Sequence, residues 1–204
     1  MSARDDILAT IRERRVKSAA RPVPYTAPAP SDDLVAQFSE QARRVDTEVQ
    51  VIDSLADVPA AVAAILRGKN MEATVHLPDH SPLTGLDWKT APSLALQSKR
   101  PGPDDAAVAL VPFGIAETGT LANPAREGSP ASWHFRPGLE IAVIRARDIL
   151  PHMENALARI KQSGALPHTI NFVTGPSRTG DIEQTLELGA HGPKALAVLI
   201  IREG

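Results

Sequence analysis

Ala106-Ala-Val-Ala-Leu-Val-Pro-Phe113 is a continuous apolar run with no polar residue to mark an outward face. A strand with one wet face alternates, whereas a run of this kind fits a strand covered on both faces. Outward from it, Ile141–Ile144, Thr169–Val173 and Ala195–Ile201 have a similar character, and Glu48–Ile52 and Ala73–Leu77 add two shorter strand patterns. Between them Asp33–Val45, Val58–Leu66 (closed by Gly68) and Pro151–Lys161 read as helices. Short apolar strands alternating with helices predict a layered α/β fold with a largely parallel sheet. The Pro-, Ser- and Gly-rich stretch 77–103 yields no clear element.

Ahead of that pattern, Ser2–Val16 reads as an amphipathic helix, with Ser2 and Asp5 as a capping box and Ile7, Leu8 and Ile11 on one face. The basic run Arg12, Arg14, Arg15, Lys17 suits a helix C-terminus. Ala19–Ser31 holds Pro22, Pro24, Pro28 and Pro30, a density that favours an extended linker. The chain thus divides into an arm (1–18), a linker (19–31) and an α/β domain (32–204). The arm is expected to pack on that domain or on a second subunit, so a homo-oligomer is open.

Composition narrows the function. The 204 residues are 43% hydrophobic, 23% charged and only 3% aromatic, with a net charge of −2. Neither a basic field nor a stacking surface is offered to nucleic acid, and no apolar run is long enough to span a bilayer. Absence of a signal-peptide pattern makes a cytoplasmic protein the expectation. With 0 cysteines, thiol catalysis and Cys-ligated iron–sulfur clusters are excluded from this chain.

Two stretches carry chemistry. In the first, Thr174-Gly-Pro-Ser-Arg-Thr-Gly-Asp181, an apolar strand ends in a turn. A helix is expected to follow, capped by Asp181 with Gln184, faced by Ile182 and Leu186, and ended by Gly189. Ser177, Arg178, Thr179 and the turn amides would suit a carboxylate or phosphate; the plainer reading is a helix cap with Arg178 paired to a surface acid. Gly175 and Gly180 are spaced as in a P-loop, but Asp181 stands where its lysine belongs, which excludes a Walker-type site. No Gly-x-Gly-x-x-Gly follows a strand, so flavin and nicotinamide sites lack support.

In the second, Glu117-Thr-Gly-Thr-Leu121, an acid precedes two hydroxyls and a glycine. Glu117 is a candidate base or nucleophile, with Thr118, Gly119 and Thr120 as ligand contacts; the plainer reading is a solvated hairpin. His76 and His80 have metal-like spacing, but Pro78 prevents the helix that would align them, so no metal site is expected. His191, in Gly189-Ala-His-Gly-Pro193, closes the same motif as Arg178, while His134, His152 and His168 are isolated.

Glu117–Leu121, followed by Thr174–Leu186 and Gly189–Pro193, resembles the lactate-utilisation (LUD) domain, most closely its protein C branch. The resemblance is clearest over Asp105–Arg202. It implies a three-layer α/β/α fold similar to the phosphosugar isomerase and CoA-transferase superfamily. It also implies a role in oxidising L-lactate to pyruvate beside partner proteins that carry iron–sulfur clusters, which agrees with a cysteine-free chain. The motif residues it transfers are Glu117, Thr118, Gly119, Thr120, Ser177, Arg178, Asp181 and His191. Two departures stand out: Gly180 replaces an expected Ala, and Glu140 stands where a Pro-x-x-His pattern would place its His. The leading expectation is an accessory subunit binding a small carboxylate or phosphorylated metabolite. The alternatives are an autonomous CoA-transferase-like or sugar-isomerase-like enzyme using Glu117, and a purely structural partner.

Overall fold

The computed structural model describes residues 3–14, 23, 25–126, 130–164, 166–182, 185–188 and 192–203. The elements in chain order are α1 (Ala3–Arg14), α2 (Leu34–Arg44), β1 (Glu48–Ile52), α3 (Val58–Gly68), β2 (Thr74–His76), β3 (Ala95–Gln97), β4 (Ala106–Leu110), β5 (Phe113–Ile115), β6 (Thr120–Pro124), α4 (Ser132–Phe135), β7 (Leu139–Arg145), β8 (Ile149–Leu150), α5 (Met153–Gln162), β9 (Ile170–Val173), β10 (Arg178–Ile182), β11 (Thr185–Leu188) and β12 (Ala195–Ile201). Every residue of α1 is exposed, Ile7 and Ile11 included. The capping residue expected at Ser2, the basic Arg15 and Lys17, and Pro22 and Pro24 lie outside the described residues.

Six strands form a parallel sheet in the order β1-β12-β7-β4-β2-β3. Because side chains alternate across a strand, the apolar runs feed two cores at once. On one face Val108, Ile141, Val143 and Leu199 pack with Val62 and Leu66 of α3. On the other, Ala142, Ile144, Val198 and Ile200 meet Phe38 and Ala42 of α2. Asp33 starts α2 as its cap, accepting from the Ala36 amide at 2.9 Å. The result is the three-layer α/β architecture with a mainly parallel sheet.

A second sheet, β8-β5-β6-β9, takes the strand expected at 169–173 as β9 and pairs it with a β5–β6 hairpin that turns at Glu117–Gly119. Its Leu121 and Val173 join the α2 core, while Ile115, Ala122 and Leu150 pack with Ala156 of α5. The run 106–113 therefore is not one strand: β4 ends at Leu110, and Phe113 begins β5 in the other sheet. Pro112 offers no N–H to continue a ladder at that break. The stretch 77–103 holds 3-10 turns at Pro82–Gly85 and Trp88–Thr90 before the edge strand β3.

One expected helix is replaced. Arg178–Ile182 and Thr185–Leu188 form an antiparallel hairpin in which Arg178 opposes Leu188 and Thr179 opposes Glu187. Backbone pairing across the hairpin supersedes the cap at Asp181, while Gln184 and Gly189 lie outside the described residues. The turn after β9 is thus strand–turn–strand, and it offers no helix N-terminus to an anion.

Candidate functional site

Two glycines bring the two motifs together. Gly119, in the turn between β5 and β6, has φ +65°, and a Cβ there would lie 2.3 Å from the Ala42 amide nitrogen of α2. Gly175, after β9, has φ +78°, and its Cβ would lie 2.4 Å from the Val45 carbonyl oxygen. Only glycine admits both the left-handed backbone and the close approach at these points. The C-terminal end of α2 thereby seats both turns side by side.

Between them runs a chain of hydroxyls. Thr118 Oγ1 lies 2.7 Å from Thr120 Oγ1, which lies 2.7 Å from Thr174 Oγ1. Thr120 is buried, whereas Thr118 and Thr174 open to solvent. Thr174 in turn lines a cleft of about 290 Å³ with Phe135, Gly175, Ser177, Arg178 and Gly192. The Ser177 amide donates to the Pro193 carbonyl at 2.9 Å, which ties the turn to the segment entering β12. That cleft therefore sits beside the amino end of the strand.

Arg178 reaches the cleft rim and pairs with Asp46 at 2.6 Å, with both side chains more than half exposed. Such a pair is weak and exchangeable, so the guanidinium can turn to an arriving anion without a large penalty. Thr179, Gly180 and Asp181 lie on β10, and His191 lies outside the described residues.

Glu117 is not among the residues lining this cleft. Its carboxylate Oε2 lies 3.2 Å from His152 Nδ1, and His152 Nε2 lies 3.0 Å from the Pro28 carbonyl oxygen. Both ring nitrogens face oxygens, so the ring donates to each when it carries both protons. The proline-rich segment thus meets the domain at the motif acid. A His paired with a half-buried carboxylate is an acid–base couple in geometry.

A second couple is deeper. His134 of α4 and Glu140 of β7 are both fully buried, with Nδ1 and Oε1 2.6 Å apart. Glu140 Oε2 has no partner among the described residues. Glu140, where the sequence pattern leads one to expect a His, is therefore an acid that holds a different His. Neither His134 nor His152 stands out in the sequence, because their partners lie 6 and 35 positions away. His76, whose spacing from His80 is metal-like, instead bonds Lys99 O at 2.9 Å and approaches Asp105. No cluster of three metal-ligating side chains occurs among the described residues.

These residues are also similar to known proteins. Residues 104–201 match the family model described as the LUD domain. A lactate utilization protein C from Geobacillus kaustophilus is 34% identical over 100 residues, which cover 47% of this chain and 42% of that relative. The match thus spans less than half of that relative's length. A lactate utilization protein C from Shouchella clausii is 26% identical over 211 residues, covering 93% of this chain and 91% of the relative. In fold, the chain is similar to the crystal structure of a DUF162 family protein from Deinococcus radiodurans, with a TM-score of 0.61 at 18% identity, covering 85% of this chain and 99% of that one. Among the described residues no helix is long and apolar enough to cross a membrane.

Proposed function

From a chain whose residues 104–201 match the LUD domain, we propose an accessory subunit of an L-lactate utilisation system that binds a small anionic metabolite. The observation that carries the ligand is the Thr118–Thr120–Thr174 hydroxyl chain ending at a cleft rimmed by Arg178. Exposed hydroxyls and a weakly engaged guanidinium at one rim suit a carboxylate or phosphate. The relatives named for lactate utilisation support the choice of pathway. With 0 cysteines in this chain, electrons from lactate would pass through iron–sulfur clusters held by partner proteins.

The test is ligand-induced thermal stabilisation of the full chain by L-lactate, pyruvate, phosphosugars and CoA esters, in wild type and Arg178→Ala. A ligand at 100-fold its dissociation constant contributes about 2.7 kcal/mol. Stabilisation by one class that vanishes in the variant is expected. An unchanged shift in Arg178→Ala would remove Arg178 from the site, and no shift with any class would remove the ligand. Iron–sulfur partners are tested separately, by co-purification of the tagged chain with the cysteine-rich products of neighbouring genes.

The Glu117–His152 couple favours one second reading, an autonomous CoA-transferase-like or sugar-isomerase-like enzyme. Turnover of an acyl-CoA or phosphosugar that disappears in Glu117→Gln would establish it. Wild-type protein with no such turnover would dismiss it.

A further inference from the structure

We propose that a second cavity, of about 410 Å³, between the start of β5, the end of β6 and the end of α5, binds a monocarboxylate with an apolar chain through Arg126. It shares no lining residue with the Thr174–Arg178 cleft. Its walls are mostly apolar, with Phe113, Pro124, Ile160 and Leu166 among them. Leu166 is 73% exposed, an uncovered aliphatic side chain at the cavity edge. A concave apolar surface with a few convergent polar groups is the usual form of a small-molecule site.

The polar groups define the ligand's head. Arg126 Nη2 donates to the Leu110 carbonyl at 3.1 Å, which anchors the guanidinium at the carboxyl end of β4. In open parallel sheets that is the end where ligand crevices form. No carboxylate among the described residues pairs with Arg126. The side chain reaches solvent, and partial burial lowers its pKa from the ordinary value. A cation set beside apolar walls is complemented by an anion that carries its own apolar surface. The Ser163 hydroxyl already donates to Ile160 O at 2.7 Å, which leaves the head-group contact to Arg126 and His168.

A single fixed cation matches a singly charged carboxylate better than a phosphate dianion. A three-carbon hydroxy acid would leave the apolar walls unfilled and its hydroxyl unpaired there, so the preferred ligand has a longer hydrocarbon chain or ring.

Calorimetric titration of the full chain with sodium octanoate, acetate and 1-octanol tests this. Octanoate should bind at least tenfold more tightly than either control, since only it offers both charge and chain. Arg126→Met, which keeps the length and removes the charge, should weaken octanoate at least tenfold and leave 1-octanol unchanged. Leu166→Asp, at an exposed position that folding tolerates, should abolish octanoate binding and serves if Arg126→Met fails to fold. The proposal is overturned if octanoate does not bind at millimolar concentration, binds no better than 1-octanol, or binds either folded variant as it binds wild type.

Discussion

The two faces of the parallel sheet take alternate residues of the same apolar strands but are covered for different ends. Against α3 the contacts are apolar, with Trp88 beside the aliphatic side chains, and a Cβ added at Gly68, at the helix end, would meet nothing within 4 Å. Against α2 and the second sheet, apolar packing is interrupted by the His134–Glu140 pair, and Gly119 and Gly175 admit no Cβ at all. The first face stabilises. The second also positions polar groups, because the backbone of α2 fixes where both motif turns can sit. A fold can thus carry chemistry on the face where its packing tolerates least change.

The largest expected effects come from truncating each face's central side chain. Phe38 and Leu66 are 0% and 1% exposed, so Phe38→Ala and Leu66→Ala should each destabilise by about 3–4 kcal/mol in denaturant titration. Their consequences should then diverge. Phe38→Ala loosens the seat of both motif turns and should weaken ligand-induced stabilisation in the Thr174–Arg178 cleft, whereas Leu66→Ala should leave it intact at temperatures where both are folded. Equal losses of ligand response would break the comparison.

A single kind of substitution gives the next contrast. Gly119→Ala forces a left-handed backbone on a residue whose Cβ meets the Ala42 backbone, and should cost about 3 kcal/mol. Gly68→Ala meets open space in a helix and should stabilise by up to about 1 kcal/mol. Opposite signs of the midpoint shift are expected, and a neutral Gly119→Ala would show that α2 does not hold the turn.

The same contrast explains what is legible in the sequence. β4, β7 and β12 are covered on both faces, so burial leaves unbroken apolar runs that announce them. Strands as short as β5 and β8, of 3 and 2 residues, owe their pairing to distant partners and leave no local pattern. The hairpin at 178–188 is hidden by a coincidence of spacing. Ile182 and Leu186 stand four apart as on a helix, yet Thr185-Leu-Glu-Leu188 also alternates with period two, and antiparallel pairing selects the second pattern. The motif residues Glu117, Thr120 and Arg178 are visible as types. Their pairings with His152, Thr174 and Asp46 are not, because contacts between elements carry no spacing rule.

A smaller effect separates the buried link of the hydroxyl chain from its exposed ends. Thr120→Val keeps the shape but removes the group that bonds both Thr118 and Thr174. Those two hydroxyls reach solvent and can turn to water, so the cost should be only about 1 kcal/mol in thermal or chemical unfolding. A loss several times larger would mean that the chain orders the cleft as well as lining it.

The smallest change in stability should accompany the sharpest change in binding. Arg178 and Asp46 are 54% and 58% exposed, so Arg178→Ala or Asp46→Asn, the latter suited to the left-handed backbone at φ 58°, should each shift stability by less than about 1 kcal/mol, and less still at high salt. Their effects on a ligand anion should be opposite. Arg178→Ala removes the cation and abolishes ligand-induced stabilisation, whereas Asp46→Asn removes the charge that competes for the guanidinium and should tighten binding. If both variants weaken the ligand equally, Asp46 orients Arg178 for the anion and the pair works as a unit. Measured side by side, the two variants decide whether Asp46 occupies the anion's place or prepares it.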